Sequence, residues 1–320
     1  MSAHIRLHEH RLDDGIRDLL GKEIAARLSA ADFDPDHDAA ILARIGAHAL
    51  ERLLPPEILT TVKDFTGSGA HALLLDNLPQ QEAPRTPVSG FGGEADLAVT
   101  NTLHLGLVQL LGLTPFAVEY ENAGKLIRNV VPNPVAAGKT SSWGSDSEFF
   151  WHTDNPHLPF GDPGSDPRPY IPRYLTFCVM RNAEQVPTEI MSVEAAVDRL
   201  PAETGRVLSS NAFEIAAPDS NDVTADGRRL TLTEAAVLER RAAGLRVRFD
   251  HGTTSAVTPQ AADALATWVE TLPGAPCWQP VLAPGQFLAF DNYRVLHRRQ
   301  AFTPAEDEAE ARWLRRCYAS

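Results

Sequence analysis

From about residue 115 to the C-terminus, short apolar runs alternate with clusters of Gly, Pro, Asn and Asp. The runs are "FAVEYENAGKLIRNVVPNP", "RYLTFCVMRN", "GLRVRFDHG", "GQFLAFDNYRVLH" and "RWLRRCYA". Many short strands with turn signals between them point to a sandwich or a barrel. Two helical stretches interrupt the pattern, around 192–210 and 257–272, and 160–172 and 216–228 read as polar surface loops. The first third has a different period. Leu19, Leu20, Ile24 and Leu28 recur at helical spacing, as do Ala40, Leu42, Ile45, Leu50 and Leu53, before Pro55-Pro56 ends the run. "AHALLLDNLP" (70–79) predicts a strand, and 94–113 predicts another amphipathic helix. No linker separates the two textures. The expectation is one domain over 1–320, with a helical part (about 1–113) packed on a β core (about 114–320).

Composition sets the class of partner. The chain has 320 residues, 43% hydrophobic and 22% charged, enough for a sizeable core. Its net charge of −13 argues against nucleic acid, which needs a basic surface, and is compatible with a cationic or zwitterionic small substrate. Cys178, Cys277 and Cys317 are far apart and form no CxxC pair, so they read as buried thiols in a reducing cytoplasm. No apolar run approaches the roughly 18 residues of a membrane span, and the polar start, MSAHIRLHEH, carries no signal peptide. A cytoplasmic location without a membrane partner is expected. His4, His8 and His10 belong to what reads as a frayed terminus.

One stretch carries the chemistry. "FFWHTDNPHLPF" (149–160) sets a histidine and an aspartate among aromatics and prolines. If the segment is a strand, His152 and Asp154 project from one face and Thr153 from the other. Phe149, Phe150 and Trp151 then read as core, with Trp151 facing away from His152. A third ligand is available in "NYRVLHRRQAF", where His297 ends an apolar β run. Two histidines and one carboxylate on one face of an octahedron suit a non-haem Fe(II) centre. Zinc hydrolases use the same ligand types, so the triad alone leaves the metal open. Fifteen residues beyond His297 lies Arg312, in "ARWLRRCYA", whose guanidinium fork suits a carboxylate. On a strand Arg312 and Arg316 share a face and Arg315 turns outward.

The ordered motifs "HTDNPHLPF", "VPTEIMSVEAAVDRL", "GQFLAFDNYRVLHRRQAF" and "ARWLRR" resemble the clavaminate synthase-like branch of the Fe(II)/2-oxoglutarate dioxygenases. The resemblance runs from about Glu119 to the C-terminus and its ordered motifs are more specific than any one alone. It implies an α+β fold: a double-stranded β-helix (jelly-roll, cupin-like) core with flanking helices. It implies Fe(II), 2-oxoglutarate and O2 as cosubstrate. The implied reaction hydroxylates an unactivated C–H of a free amino acid (lysine-, arginine- or asparagine-like) or close derivative, releasing succinate and CO2. Matched by motif, His152, Asp154 and His297 are the iron ligands, while Thr188 and Arg312 hold 2-oxoglutarate. Glu121, Ser142, Ser145 and Asp250 match substrate-contacting positions. Three departures stand out. Many members of the branch have Glu where this chain has Asp154, the stretch from His297 to Arg312 is slightly longer than usual, and a lid segment that often reads Asp-x-Asp here pairs Asp250 with Gly252. Halogenases of this type replace the carboxylate with Gly or Ala, so Asp154 argues against halogenation. The same cofactors also support desaturation or cyclisation. The alternative from another class is a jelly-roll metal-binding protein that is no oxygenase, which gives Arg312 and Thr188 no role. The sequence leaves the oligomeric state open.

Overall fold

The computed structural model describes residues 5–118, 122–133, 148–161, 170–218, 229–242 and 244–320. The chain opens with β1 (Leu7–Arg11), then α1 (Asp14–Ala30), α2 (Ala39–Leu53), α3 (Pro56–Ser68), β2 (Ala72–Asp76) and α4 (Ala98–Leu110). Short strands follow: β3 (Pro115–Phe116), β4 (Ile127–Val130), β5 (Phe149–His152), β6 (Tyr174–Arg181) and β7 (Glu189–Ser192). Beyond α5 (Val193–Val197) and α6 (Ala202–Leu208) come β8 (Phe213–Ala216), β9 (Thr231–Ala235), β10 (Leu238–Arg241), β11 (Gly244–Val247) and β12 (Thr254–Ala256). Helix α7 (Pro259–Thr271) leads into β13 (Phe287–Asp291), β14 (Val295–Arg299) and β15 (Trp313–Ala319).

The result is a mixed α/β fold with mostly antiparallel sheets. The larger sheet runs β1-β2-β13-β6-β15-β3, with β4 also paired to β15; a smaller sheet runs β5-β14-β7. Period-2 alternation decides what each face of the larger sheet meets. Leu73 and Leu75 of β2, Phe287 and Ala289 of β13, and Cys317 of β15 pack into one cluster with the N-terminal helices. Their neighbours Ala72, Leu288, Phe290, Leu314 and Tyr318 turn to the opposite face, where they meet Ile190 of β7 and Val295 of β14 from the smaller sheet. A third cluster, including Trp151, Leu296 and Trp268, packs α7 against the outer side of the smaller sheet. The space between the two sheets is where the polar motifs gather.

Several local expectations change. The N-terminal segment is not frayed over its described part: β1 pairs parallel with β2 from Leu7↔Ala72 to Arg11↔Asp76, so His8 and His10 sit on an edge strand. Pro55-Pro56 does end α2, but Pro56 also opens α3, where a first-turn proline sacrifices no hydrogen bond. Helix α4 is buried on nearly every side rather than amphipathic, because α2 covers it opposite the sheet. The close approach uses a glycine pair. A Cβ on Gly46 of α2 would lie 2.0 Å from the Thr102 carbonyl oxygen, and one on Gly106 of α4 would lie 2.6 Å from the Gly46 carbonyl carbon. Cys178 and Cys317 are buried as expected, whereas Cys277 is only partly covered.

Candidate active site

Strand β5 ends at His152, so Asp154 does not share a strand with it, as the alternation argument supposed. The two side chains converge for another reason. The chain turns directly after the strand, with Asn155 at φ 53°, a left-handed conformation that Asn tolerates better than most residues. Asn292, fully buried in the β13–β14 turn, fixes the turn's backbone: its Oδ1 accepts from the Asp154 N–H at 3.0 Å and its Nδ2 donates to the Asp154 carbonyl at 3.2 Å. Thr153 points the other way, bonded through its backbone N–H to the Phe249 carbonyl at 2.7 Å. His297 is delivered by pairing β14 against β5, with His297 directly opposite His152.

The three side chains form a buried cluster whose potential ligand atoms all lie within 4.8 Å of one another. Nε2 of His152 and Nε2 of His297 each stand 3.2 Å from Asp154 Oδ1. The His152 Nδ1–H donates to the Phe150 carbonyl at 2.7 Å, which leaves Nε2 as the nitrogen free to act as a ligand. That nitrogen makes no hydrogen bond, and its lone pair faces a carboxylate oxygen. Lone pair against anion is unfavourable unless a cation lies between them, so the donor set fits a divalent metal. Burial, and then the neighbouring His152, push His297 down to about 4, which keeps it neutral and ligand-competent at neutral pH. Burial alone would raise the Asp154 carboxyl. The Arg316 guanidinium beside it outweighs burial and holds it well below the usual carboxylate range.

Behind the triad is a pocket lined by Thr188, Arg312, Arg316, Phe177, Leu314 and Arg299, among others. Thr188 is its threonine, just before β7. Arg312 is 4% exposed and its Nε–H has no hydrogen-bond acceptor. Burial, and then the Arg299 charge, lower Arg312 to about 9, against a smaller upward pull from Glu184. The Arg312 Nε–H is left unsatisfied, and a carboxylate entering the pocket would supply an acceptor.

Alternation on β15 sends Leu314 and Arg316 into the pocket and Arg315 to the opposite face. Arg315 does not turn outward to solvent, because the helical layer covers that face. It is fully buried in an ion pair with Glu94 and donates to Asn129 Oδ1 at 2.7 Å and Asn101 Oδ1 at 2.8 Å. Arg316 donates to Asp154 Oδ2 at 2.7 Å.

The aromatics before the motif divide. The Phe149 ring lies 3.7 Å from the His152 ring between centroids, and Trp151 faces away into the α7 cluster. Phe150 is no core residue: it is 37% exposed and stacks on His251. Asp250 is brought beside His152 by a backbone bridge, and its Oδ1 accepts from Gly252 N–H at 2.7 Å. Glu121, Ser142 and Ser145 lie outside the described residues. Two residues that sequence reasoning missed bear on the site. Asn292 follows an apolar strand and reads as an ordinary turn residue. Tyr318, whose hydroxyl donates to Asp154 Oδ2 at 2.8 Å, shares alternation with Arg316, which was the one signal available.

Residues 124–318 match the family described as Taurine catabolism dioxygenase TauD, TfdA family. The chain belongs to the TauD/TfdA dioxygenase family. Over 304 residues it is 23% identical to L-lysine 3-hydroxylase of Catenulispora acidiphila, spanning 93% of this chain and 80% of that protein. Asparagine oxygenase, solved with Fe(II), 2S,3S-3-hydroxyasparagine and succinate, has the same fold. The TM-score is 0.79 at 22% identity, over 97% of this chain and 93% of the other. The non-haem iron oxygenase OrfP, solved with Fe and alpha-ketoglutaric acid, aligns with a TM-score of 0.77 at 22% identity, over 97% of this chain and 92% of the other. As a TauD/TfdA dioxygenase the chain is an Fe(II)/2-oxoglutarate-dependent oxygenase, and its buried His-Asp-His cluster fits that metal. Among the described residues, no helix is long and apolar enough to cross a membrane.

Proposed function

We propose that this protein hydroxylates an unactivated C–H of a free amino acid with an amine, guanidine or amide side chain, or of a close derivative. The observation that carries the reading is a metal-competent triad backed by a buried arginine whose Nε–H lacks an acceptor. The likeness to a lysine hydroxylase and to the fold of asparagine oxygenase supports the substrate class. When bound, iron with 2-oxoglutarate and O2 supplies the oxidising power, and succinate and CO2 leave as co-products.

The chain's own residues do the rest. His152, Asp154 and His297 would hold the metal through two imidazole nitrogens and one carboxylate oxygen. Arg312 and Thr188 would hold the distal carboxylate of 2-oxoglutarate, the guanidinium by a charged fork and the hydroxyl by a hydrogen bond. Phe149, Phe177 and Leu314 line the same space with apolar surface and exclude bulk water. Asp250, next to His152, supplies negative charge towards a cationic or amide side chain. Glu121, Ser142 and Ser145 are assigned to substrate by motif match alone. In this reading residues 1–320 form one domain, a cytoplasmic enzyme whose facing sheets are the two halves of a double-stranded β-helix.

The test is succinate formation from 2-oxoglutarate under O2 with Fe(II), against a panel of free amino acids that includes lysine, arginine and asparagine. Stimulation by at least one of them, with a matching hydroxylated product, is expected. Iron-replete protein that releases no succinate with any of them would sink the assignment.

A further inference from the structure

Two donors meet on one oxygen of Asp154. Arg316 Nη1 reaches Oδ2 at 2.7 Å and the Tyr318 hydroxyl reaches the same atom at 2.8 Å. They also hold each other, since the Arg316 guanidinium lies over the Tyr318 ring, 4.1 Å from its centroid. The tyrosine is itself buried, its ring 6.1 Å from that of Phe116 on the neighbouring strand β3. The other oxygen, Oδ1, faces the two histidine Nε2 atoms.

We propose that Tyr318 is a positioning residue for the metal: with Arg316 it engages Oδ2, so that Asp154 offers the metal Oδ1 alone. This rests on the metal-site reading above. An unrestrained carboxylate can bind a divalent cation through both oxygens, and doing so here would take a coordination position that cosubstrate or O2 needs. Arg316 supplies charge, but a guanidinium has several N–H groups and can follow a swinging carboxylate. The single O–H of a phenol on a packed ring cannot. Rotating Oδ2 towards the metal means breaking the Tyr318 bond inside a buried site, where a lost hydrogen bond is not replaced by water. The Tyr318 proton stays on the phenol, and no bond other than hydrogen bonds is made or broken.

The experiment uses Co(II), a spectroscopic stand-in for Fe(II), titrated into the metal-free full-length protein and into Tyr318→Phe, without 2-oxoglutarate. Phenylalanine keeps the ring and its stacking on Arg316, and melting temperatures are recorded alongside. Loss of an outer-shell partner typically costs about 10–100-fold in metal affinity, and the Co(II) Kd of Tyr318→Phe should rise within that range. Its visible d–d spectrum should change, because the carboxylate is no longer held to Oδ1 alone. The same change made in an Asp154→Ala chain should leave Co(II) affinity where Asp154→Ala alone puts it, because Tyr318 acts through the missing carboxylate. A purely structural tyrosine would lower affinity equally in both backgrounds, and that result overturns the proposal. So does an unchanged Kd and spectrum in Tyr318→Phe. Failure of the unaltered protein to bind Co(II) at all would instead remove the metal-site reading, and this inference with it.

Discussion

The side chain of Asn292 grips the backbone of Asp154 from both sides, accepting from its N–H at 3.0 Å and donating to its carbonyl at 3.2 Å. The grip matters because Asp154 lies beyond the end of β5, where no ladder hydrogen bonds hold it. Asn292→Ala removes the side-chain partner of three backbone groups, the Asp154 N–H and the carbonyls of Asp154 and Pro172, at about 1–3 kcal/mol for each group left unsatisfied. The expected outcome is a lower urea midpoint together with weaker Co(II) binding, since the turn that aims Asp154 loosens. Unchanged metal affinity in a destabilised Asn292→Ala would confine Asn292 to folding alone.

The triad itself predicts a sharper loss. His152→Ala or His297→Ala should abolish 2-oxoglutarate turnover, each removing one of three protein ligands. Asp154→Gly should do the same and also leave Arg316 and Tyr318 without their shared acceptor. Full succinate release by any of these three variants contradicts the ligand assignment.

Arg312 is expected to govern the cosubstrate. Lysine keeps the charge but not the planar fork, so Arg312→Lys raises the apparent KM for 2-oxoglutarate. Losing a buried charged pair costs about 2–5 kcal/mol, so Arg312→Ala raises it further. Steady-state measurements over a range of 2-oxoglutarate concentrations check this. A large KM effect in an Arg316 variant with none at Arg312 would move the assignment to Arg316.

Arg315, three residues on, should behave oppositely. Removing it leaves Glu94 buried and unpaired, which typically costs about 3–5 kcal/mol, and takes a donor from both Asn101 and Asn129. Arg315→Ala should therefore unfold at clearly lower denaturant, while the fraction that remains folded keeps a near-normal KM for 2-oxoglutarate. Chemical denaturation followed by tryptophan fluorescence reports the first effect.

A buried histidine away from the metal gives a pH dependence with a fixed sign. Burial, aided by the Arg315 charge, lowers His104 to about 3, against an ordinary value of 6.5; its Nε2 bonds Thr176 Oγ1 at 2.8 Å. The unfolded chain therefore takes up a proton near pH 6.5 that the folded chain refuses until about pH 3. Stability is unaffected by this group above pH 6.5 and falls as pH drops below it, by about 1.4 kcal/mol per pH unit. Urea unfolding between pH 7 and pH 5 should show a shallower decline in His104→Gln than in the unaltered chain. Equal slopes would mean that His104 is protonated in the folded state.

How much of this was legible beforehand depends on the distance over which each feature is decided. Alternation and turn residues are local, so the strands Tyr174–Arg181, Gly244–Val247, Phe287–Asp291, Val295–Arg299 and Trp313–Ala319 and the helices Asp14–Ala30 and Ala39–Leu53 follow from the sequence. Ligand chemistry is also carried by residue type, which is why His152, Asp154, His297, Thr188 and Arg312 can be named from motifs. Tertiary structure decided what faces what. Arg315 and Arg316 are adjacent in sequence, yet one meets Glu94 under the helices and the other meets Asp154 between the sheets. Local pattern gives the two faces of a strand but not which layer covers each. The N-terminal strand pairs with residues some 65 positions away, and its five residues carry too weak an alternation to announce that partner. Spacing alone places Asp154 on the strand with His152, but spacing assigns faces only while a strand lasts. The turn after His152 and the distant Asn292 put it in place, and contacts between residues 138 positions apart form only when the chain has folded.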